Sequence, residues 1–562
     1  MSARGEAKTR VATGRRRTPG GYPLHPFLFA LASVLALMAN SLNQATFAHV
    51  APALVGVTLF AGALYFGIAL LRRRLDARTA VIASIWIVGC LFYSDLFGPL
   101  NEQLGGGYSL LPSLPLALAA LVLLTALVLR LPVLLVGIVH LVANVVALVL
   151  FITPAWEAVA HEWEHGAERQ LYDPDRAAAL PELQQPEDGF PPAADGAHPD
   201  IYHFVFDRFA SEAVLAEHYG LDVSETTAFL EERGFYVARD SHSNYHRTAH
   251  SLASTFYMDY LAFLAEGQQP AGHNWQPLHR MLGDHRVARL LAAQGYDFIQ
   301  FGSWWTGTFH NPVAVMNRPH GFSEFNMLYL RRTMLRPIFH ALPDRPLTMR
   351  LDWDNAQCQR MAPQIEEIKA LSQDRAAARP RYVFAHILLP HGPYNFTEDG
   401  RCLTQEEARA RGPRQGYIDQ TLYASRLIEE LVNHLQSSEE NPPVILIHAD
   451  EGPFPEGREA GVPWQELSDE QLRIKTAILN AYYFPDGQYR ELSDDTSPVN
   501  SFRVLFNALF GTNFEILPDR TYVTPDDRHL YDFRDVTERL RPQLELAVPG
   551  EQATEERPSG AK

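Results

Sequence analysis

"VILIHADEGPF", residues 444–454, is an apolar run that ends on two adjacent carboxylates, Asp450 and Glu451, followed by Gly452 and Pro453. Asp, Gly and Pro are common turn formers, so the stretch reads in one way as a buried strand meeting its surface turn. In another way it reads as a metal site. Ligands gather at strand ends in open α/β sheets, and carboxylates placed there hold hard cations.

Runs of the same kind recur at "IYHFVFD" (201–207), "YDFIQFG" (296–302), "RYVFAHILL" (381–389) and "AILNAYYF" (477–484). Near-continuous apolar strands belong to sheets covered on both faces. Helical patterns alternate with them at 224–233, 285–294, 417–436 and 501–510. The alternation predicts an α/β domain with a mostly parallel central sheet covered by helices. Residues 199–535 are expected to form this domain.

The chain before it is different. Apolar stretches at 25–41, 53–71, 79–97, 111–129 and 132–153 each approach the ~20 residues that a bilayer-spanning helix needs. A signal peptide is excluded by the four apolar stretches that follow the first. Arg4, Lys8, Arg10 and Arg15–Arg17 precede span one, Arg72–Arg74 and Arg78 separate spans two and three, and Arg130 separates spans four and five. The opposite loops, 42–52 and 98–110, hold no Lys or Arg. This positive-inside pattern predicts a basic cytoplasmic tail (1–24), a five-span helical domain (25–155), and everything later outside the cytoplasm. Residues 156–198, rich in Pro, Ala and acids, read as a linker, and 536–562 as a disordered tail.

The net charge is −17, yet residues 1–155 carry 11 Lys+Arg against 4 Asp+Glu, so the acidic excess lies in the outer part. That excludes nucleic acid as a partner. Of three cysteines, Cys358 and Cys402 fall in the outer domain, where a disulfide between them is possible. No feature specifies an oligomer.

Chemistry-bearing residues gather at the strand ends. Strand 201–206 leads into Asp207 and Arg208. Strand 381–389 contains His386 and runs into Pro390-His391-Gly392-Pro393. "SHSNYHRTAHSLAS" (241–254) is hydroxyl-rich and opens a helix. His242, His246 and His250 are spaced by four, as on one helix face, and are more often locally hydrogen-bonded than metal ligands. Trp304 and Trp305 follow another strand end, where packing is the default and a lipid or glycan groove the alternative.

These blocks resemble the bacterial membrane-anchored sulfatase-like proteins of the alkaline phosphatase superfamily, which include lipoteichoic acid synthases and phosphoethanolamine transferases. The resemblance rests on "PDIYHFVFDRF" (199–209), "FLEERGFYVARDSHSNYHRTAHSLAS" (229–254), "YVFAHILLPHGPYNF" (382–396), "ILNAYYFPDG" (478–487) and "FRVLFNALFGTNFEILPDRTYV" (502–523). It implies a multi-pass protein of a bacterial inner membrane, a hydrolase or transferase acting on phosphate, or sulfate, esters of envelope lipids or glycans. Thr248 is implied as nucleophile, with Ser251 the alternative, and His391 as the second catalytic group. Asp207, Thr248, Asp450 and Glu451 are implied as metal ligands; Asn244, Arg208 and His386 are candidates for binding substrate.

Glu451 stands where most of the superfamily has histidine. Three carboxylates and a hydroxyl predict one divalent cation, Mn²⁺ or Mg²⁺ rather than Zn²⁺, with Ca²⁺ admissible. No Cys or Ser lies in a Cys/Ser-x-Pro-x-Arg setting, which disfavours a formylglycine sulfatase. The rival reading is a catalytically eroded envelope protein that binds or assembles, with Glu451 its main support.

Overall fold

The computed structural model describes residues 22–105, 109–164, 198–267, 272–341, 353–374, 379–437 and 442–541. Most of the basic tail, most of the acidic linker and residues 542–562 lie outside them. Helices of seven or more residues are numbered in chain order.

Six helices form the N-terminal part: α1 His25–Ala39, α2 Phe47–Arg72, α3 Ala77–Leu91, α4 Tyr93–Gln103, α5 Leu114–Arg130 and α6 Val133–Glu164. Two of them, α2 and α6, are long and apolar enough to cross a membrane, and a third span results if α3 and α4, bent by 60°, are counted together. α1 and α5, of 15 and 17 residues, fall short of that length. α6 continues past the expected boundary at 156, and a helical turn at Thr537–Leu540 lies within the expected tail.

The second part is a seven-stranded sheet in the order β2-β7-β6-β1-β5-β3-β4. Its strands are β1 Ile201–Phe206, β2 Tyr236–Val237, β3 Asp297–Phe301, β4 Met316–Asn317, β5 Arg381–Ile387, β6 Val444–His448 and β7 Asn480–Tyr483. β6, β1, β5, β3 and β4 are parallel, β7 runs antiparallel to β6, and β2 pairs antiparallel with β7 at that edge. The helices are α7 Ser224–Glu232, α8 Thr248–Tyr257, α9 Gln276–Gly283, α10 Arg286–Ala293, α11 Glu324–Arg332, α12 Leu335–Ala341, α13 Trp353–Gln373, α14 Gln405–Leu435, α15 Asp469–Thr476 and α16 Pro498–Phe510.

The continuous apolar sequence of β1 is explained by burial of both its faces. Tyr202, Phe204 and Phe206 pack with Leu427, Ile428 and Leu431 of α14, while Ile201 and Val205 pack with Leu252 and Phe256 of α8 and Phe502 of α16. Side chains alternate along a strand, so one six-residue strand feeds two cores. Each fully buried large apolar side chain contributes about 1.5–3 kcal/mol. Cys358 and Cys402 are bonded, with Cα atoms 5.8 Å apart, tying α13 to the segment that follows β5.

The two parts are joined by more than the linker. Trp275 N donates to Asn43 O at 3.0 Å, and Gln276 Nε2 donates to Leu42 O at 3.0 Å. The α1–α2 connection is therefore docked on α9.

Candidate active site

The three central neighbours β6, β1 and β5 end on one side of the sheet. Register aligns Val205 with both His386 and His448, so Asp207, two residues on, sits just beyond the ladder. Asp207 N still donates to Ile387 O at 2.9 Å. One ligand atom from each of Asp207, His386 and Asp450 lies within 4.8 Å of the others, and all three residues are buried. Asp207 Oδ1 and Asp450 Oδ2 find no hydrogen-bond partner among the described residues. Unsatisfied buried carboxylate oxygens are costly. Burial and the Asp207 and Glu451 charges push Asp450 well above the usual carboxylate range. Burial also opposes ionisation of Asp207, but His391, His386 and Arg208 outweigh it and hold Asp207 low. A divalent cation among the three would complete the unmet lone pairs and remove the repulsion, so the residues present fit one.

This ligand set differs from the sequence expectation at Glu451. Its Oε1 lies 2.7 Å from Lys475 Nζ and 3.0 Å from Arg208 Nε, outside the group of three. His386, expected to bind substrate, is inside it, with Nε2 3.4 Å from Asp207 Oδ2 and Nδ1 2.8 Å from Thr308 Oγ1. An imidazole among the donors removes the basis for preferring Mg²⁺ to Zn²⁺.

The Asp450-Glu451-Gly452-Pro453 turn has a packing role. Gly452 N donates to Lys475 O at 2.7 Å, and a Cβ at residue 452 would come within 2.2 Å of Ile474 O. Only glycine lets α15 come this close. That approach buries Lys475 against Glu451.

Arg208 has φ 68°, a left-handed conformation costly for a residue with a side chain. Its N donates to Asp450 Oδ1 at 3.3 Å, and its carbonyl accepts from Tyr417 Oη at 2.9 Å. The guanidinium lies over the Phe454 ring at 4.4 Å. These contacts fix it on the wall of a cavity of about 210 Å³ that Asp207, Thr248, His391 and Glu451 also line.

Thr248 is the first residue of α8 and lines the cavity, where its hydroxyl favours the charged form of Asp450. A helix N-terminus favours anions. Ser251 is fully buried further along the helix, does not line the cavity, and its Oγ has no partner among the described residues. Asn244 is also fully buried away from the cavity. It bonds Ser497 Oγ, Arg520 O and Val499 N, so it caps and braces α16 rather than facing substrate. His242 and His246 precede α8, so the three histidines do not share a helix face. His250 Nε2 is 2.8 Å from Leu530 O, and His246 packs on Trp464 with ring centroids 4.6 Å apart.

His391 N donates to Asp207 O at 3.1 Å, and its Nδ1 donates to Gly392 O. That leaves Nε2 as the proton-accepting nitrogen. Burial, reinforced by Arg208, pushes His391 down to about 4, so the ring is neutral near pH 7. Trp304 and Trp305 both line the cavity, edge-on to His391 and His386. Three residues that the sequence did not single out complete the surroundings: Lys475, His279 and Gln44, the last from the α1–α2 connection.

The sulfatase family model matches residues 205–500, more than half of the chain. The protein belongs to the sulfatase family, whose members act on sulfate or phosphate esters. Similar solved structures include the C-terminal periplasmic domain of EptC from Escherichia coli, at 12% identity and TM-score 0.38, covering 62% of this chain and 96% of that one. The same domain has been solved in complex with Zn. Another is the integral membrane lipooligosaccharide phosphoethanolamine transferase EptA from Neisseria meningitidis, at 15% identity and TM-score 0.35, covering 87% and 96%. No curated protein matches in sequence.

Proposed function

We propose that this protein is a membrane-anchored, cation-dependent hydrolase or transferase of phosphate esters in the cell envelope, with Thr248 as nucleophile. The observation that carries it is the position of Thr248, at a helix N-terminus, on the wall of the cavity that Asp207 also lines, beside the Asp207–His386–Asp450 cluster. A threonine at this position cannot become formylglycine, which favours phosphate over sulfate.

Asp207, His386 and Asp450 would hold the cation. When bound, it offsets the carboxylate charge and makes the neighbouring hydroxyl more acidic. Asp450 takes the Thr248 hydroxyl proton as Oγ bonds to phosphorus and the bond to the leaving oxygen breaks. The leaving alkoxide takes a proton from water at the cavity mouth. Arg208, pinned by Glu451, donates to the transferred group's oxygens, where negative charge develops. In the second half, a water or acceptor hydroxyl gives its proton to His391 Nε2 and attacks phosphorus. Thr248 Oγ leaves, recovering the proton from Asp450, and His391 releases its proton to solvent. Nothing is oxidised, and the net reaction is transfer of the group to water or to the acceptor.

Arginine placement supports five spans from a cytoplasmic N-terminus, with α1 and α5 accommodated by local thinning of the bilayer. A topology reporter fused after Glu164 should then be active only outside the cytoplasm.

The eroded-site reading draws on Glu451, which is consumed by an ion pair. Turnover of nitrophenyl phosphate by the full-length protein with Mn²⁺ or Zn²⁺, lost in Thr248→Ala, tests the catalytic reading. A wild type that binds metal but is inert toward phosphate and sulfate esters favours erosion.

A further inference from the structure

The segment that follows β3, residues 302–309, carries Trp304 and Trp305 on the cavity wall. Its polar interior has no part in the chemistry above. Gly302 lets the segment fold back on itself: a Cβ there would lie 2.4 Å from Phe309 O and 2.5 Å from Thr308 O. Gln300 of β3 holds the returning backbone, its Nε2 donating to Thr308 O at 2.7 Å. The sharp return buries both Ser303 and Thr308.

Their hydroxyls form a row of hydrogen bonds that ends on a residue of the ligand cluster. Trp305 N donates to Ser303 Oγ at 3.2 Å. Ser303 Oγ and Thr308 Oγ1 are 2.8 Å apart, and Thr308 Oγ1 is 2.8 Å from His386 Nδ1.

The order of protons along this row decides what His386 can do. A neutral imidazole has one N–H, and its other nitrogen offers a lone pair. A cation takes the nitrogen without the proton. A proton on Nε2 would be buried with nothing to accept it. That atom lies 3.4 Å from Asp207 Oδ2, longer than a well-formed N–H···O bond, and has no hydrogen-bond partner among the described residues. A proton on Nδ1 is instead donated to Thr308 Oγ1. Thr308 then donates its own hydroxyl to Ser303 Oγ, which has a second lone pair for Trp305 N.

We propose that Thr308 is a positioning residue for the cation: it holds the His386 proton on Nδ1 and so keeps Nε2 free to bind metal. Ser303 orients Thr308, and through Trp305 N it ties the same row to the cavity wall. This rests on the Asp207–His386–Asp450 group holding a cation, and not on Thr248 as nucleophile. Partners that orient a ligating imidazole change metal affinity by about 10–100-fold when they are removed.

The test uses metal-free, full-length protein in detergent, titrated calorimetrically with Zn²⁺. Thr308→Val keeps the side-chain shape and removes the acceptor. It should weaken Zn²⁺ binding by about tenfold or more, while Thr308→Ser, which keeps the hydroxyl, should bind like the wild type. A threonine that only braced the segment would lower the unfolding temperature in Thr308→Val and leave the affinity alone. Histidine-labelled wild type gives a second readout that does not depend on the variant folding. Two-bond ¹H–¹⁵N correlation, with the His386 signal identified by its loss in His386→Ala, should show the proton on Nδ1 in the metal-free protein. A proton on Nε2, or equal Zn²⁺ affinity in wild type and Thr308→Val, would overturn the proposal. A wild type that binds no cation would overturn the ligand cluster with it. The expected affinities in a protein inert toward esters would uphold the role of Thr308 and overturn the catalytic reading alone.

Discussion

Lys475 Nζ and Glu451 Oε1 lie 2.7 Å apart in an interior where Lys475 has no exposed surface. Arg208 Nε is 3.0 Å from the same oxygen. Glu451 thus anchors two cationic side chains beside the Asp207–His386–Asp450 group. Removing one partner of a buried pair leaves an uncompensated charge, at a cost of about 3–5 kcal/mol. Lys475→Met should destabilise the protein by that order. Glu451→Gln/Lys475→Met should be less destabilised than the sum of the singles, because the orphaned charge is gone. Unfolding of the detergent-solubilised variants measures both; a loss under about 1 kcal/mol for Lys475→Met would show that the pair is not held as described.

Metal binding should follow the donor set. A cation at a hundredfold excess over its dissociation constant stabilises by about 2.7 kcal/mol. With His386 among the donors, Mn²⁺ and Zn²⁺ should raise the unfolding temperature more than Mg²⁺ or Ca²⁺. Asp450→Ala should abolish every shift, and His386→Ala should erase the discrimination. Thermal unfolding that ignores all four ions would contradict the site.

Acid should destabilise the outer domain through buried neutral histidines. His285 packs face-on against Phe256 at 4.1 Å, and its Nδ1 accepts from Ala288 N. Burial pushes it down to about 3 from 6.5. Between those values the unfolded chain binds a proton that the folded one refuses, so stability falls as pH falls through that window and is full above it. The slope is about 1.4 kcal/mol per pH unit for one group. His285→Asn keeps a capping side chain without titrating. Its stability should depend less on pH between 6 and 4 by that amount. An unchanged slope would exclude His285 as a source.

The central strands were legible because their apolar runs are continuous, as burial on both faces requires. β2 and β4 were not, since two residues carry no period. Asp207, Asp450 and His391 stood out as polar groups at apolar strand ends. His386 was noticed without its place beside Asp207 and Asp450, because a histidine inside an apolar strand looks the same whether it faces core, substrate or cation. Lys475 lies in "DEQLRIKT", which reads as a solvated helix. Only the approach at Gly452, set by tertiary packing, buries it. The regular spacing of His242, His246 and His250 suggested a helix face, but α8 begins only at Thr248. The place of Gln44 depends on how the membrane helices meet the outer domain, which no local pattern encodes.

In the proposed reaction Thr248 carries the transferred group. Ester substrate is mixed with the metal-loaded full-length protein, quenched in acid, digested, and the modified peptide sequenced by mass spectrometry. Phosphate on Thr248, absent from Asp450→Ala and accompanied by a turnover loss on the order of a thousandfold in Thr248→Ala, is the predicted result. Phosphate on Ser251, or full turnover in Thr248→Ala, would contradict it.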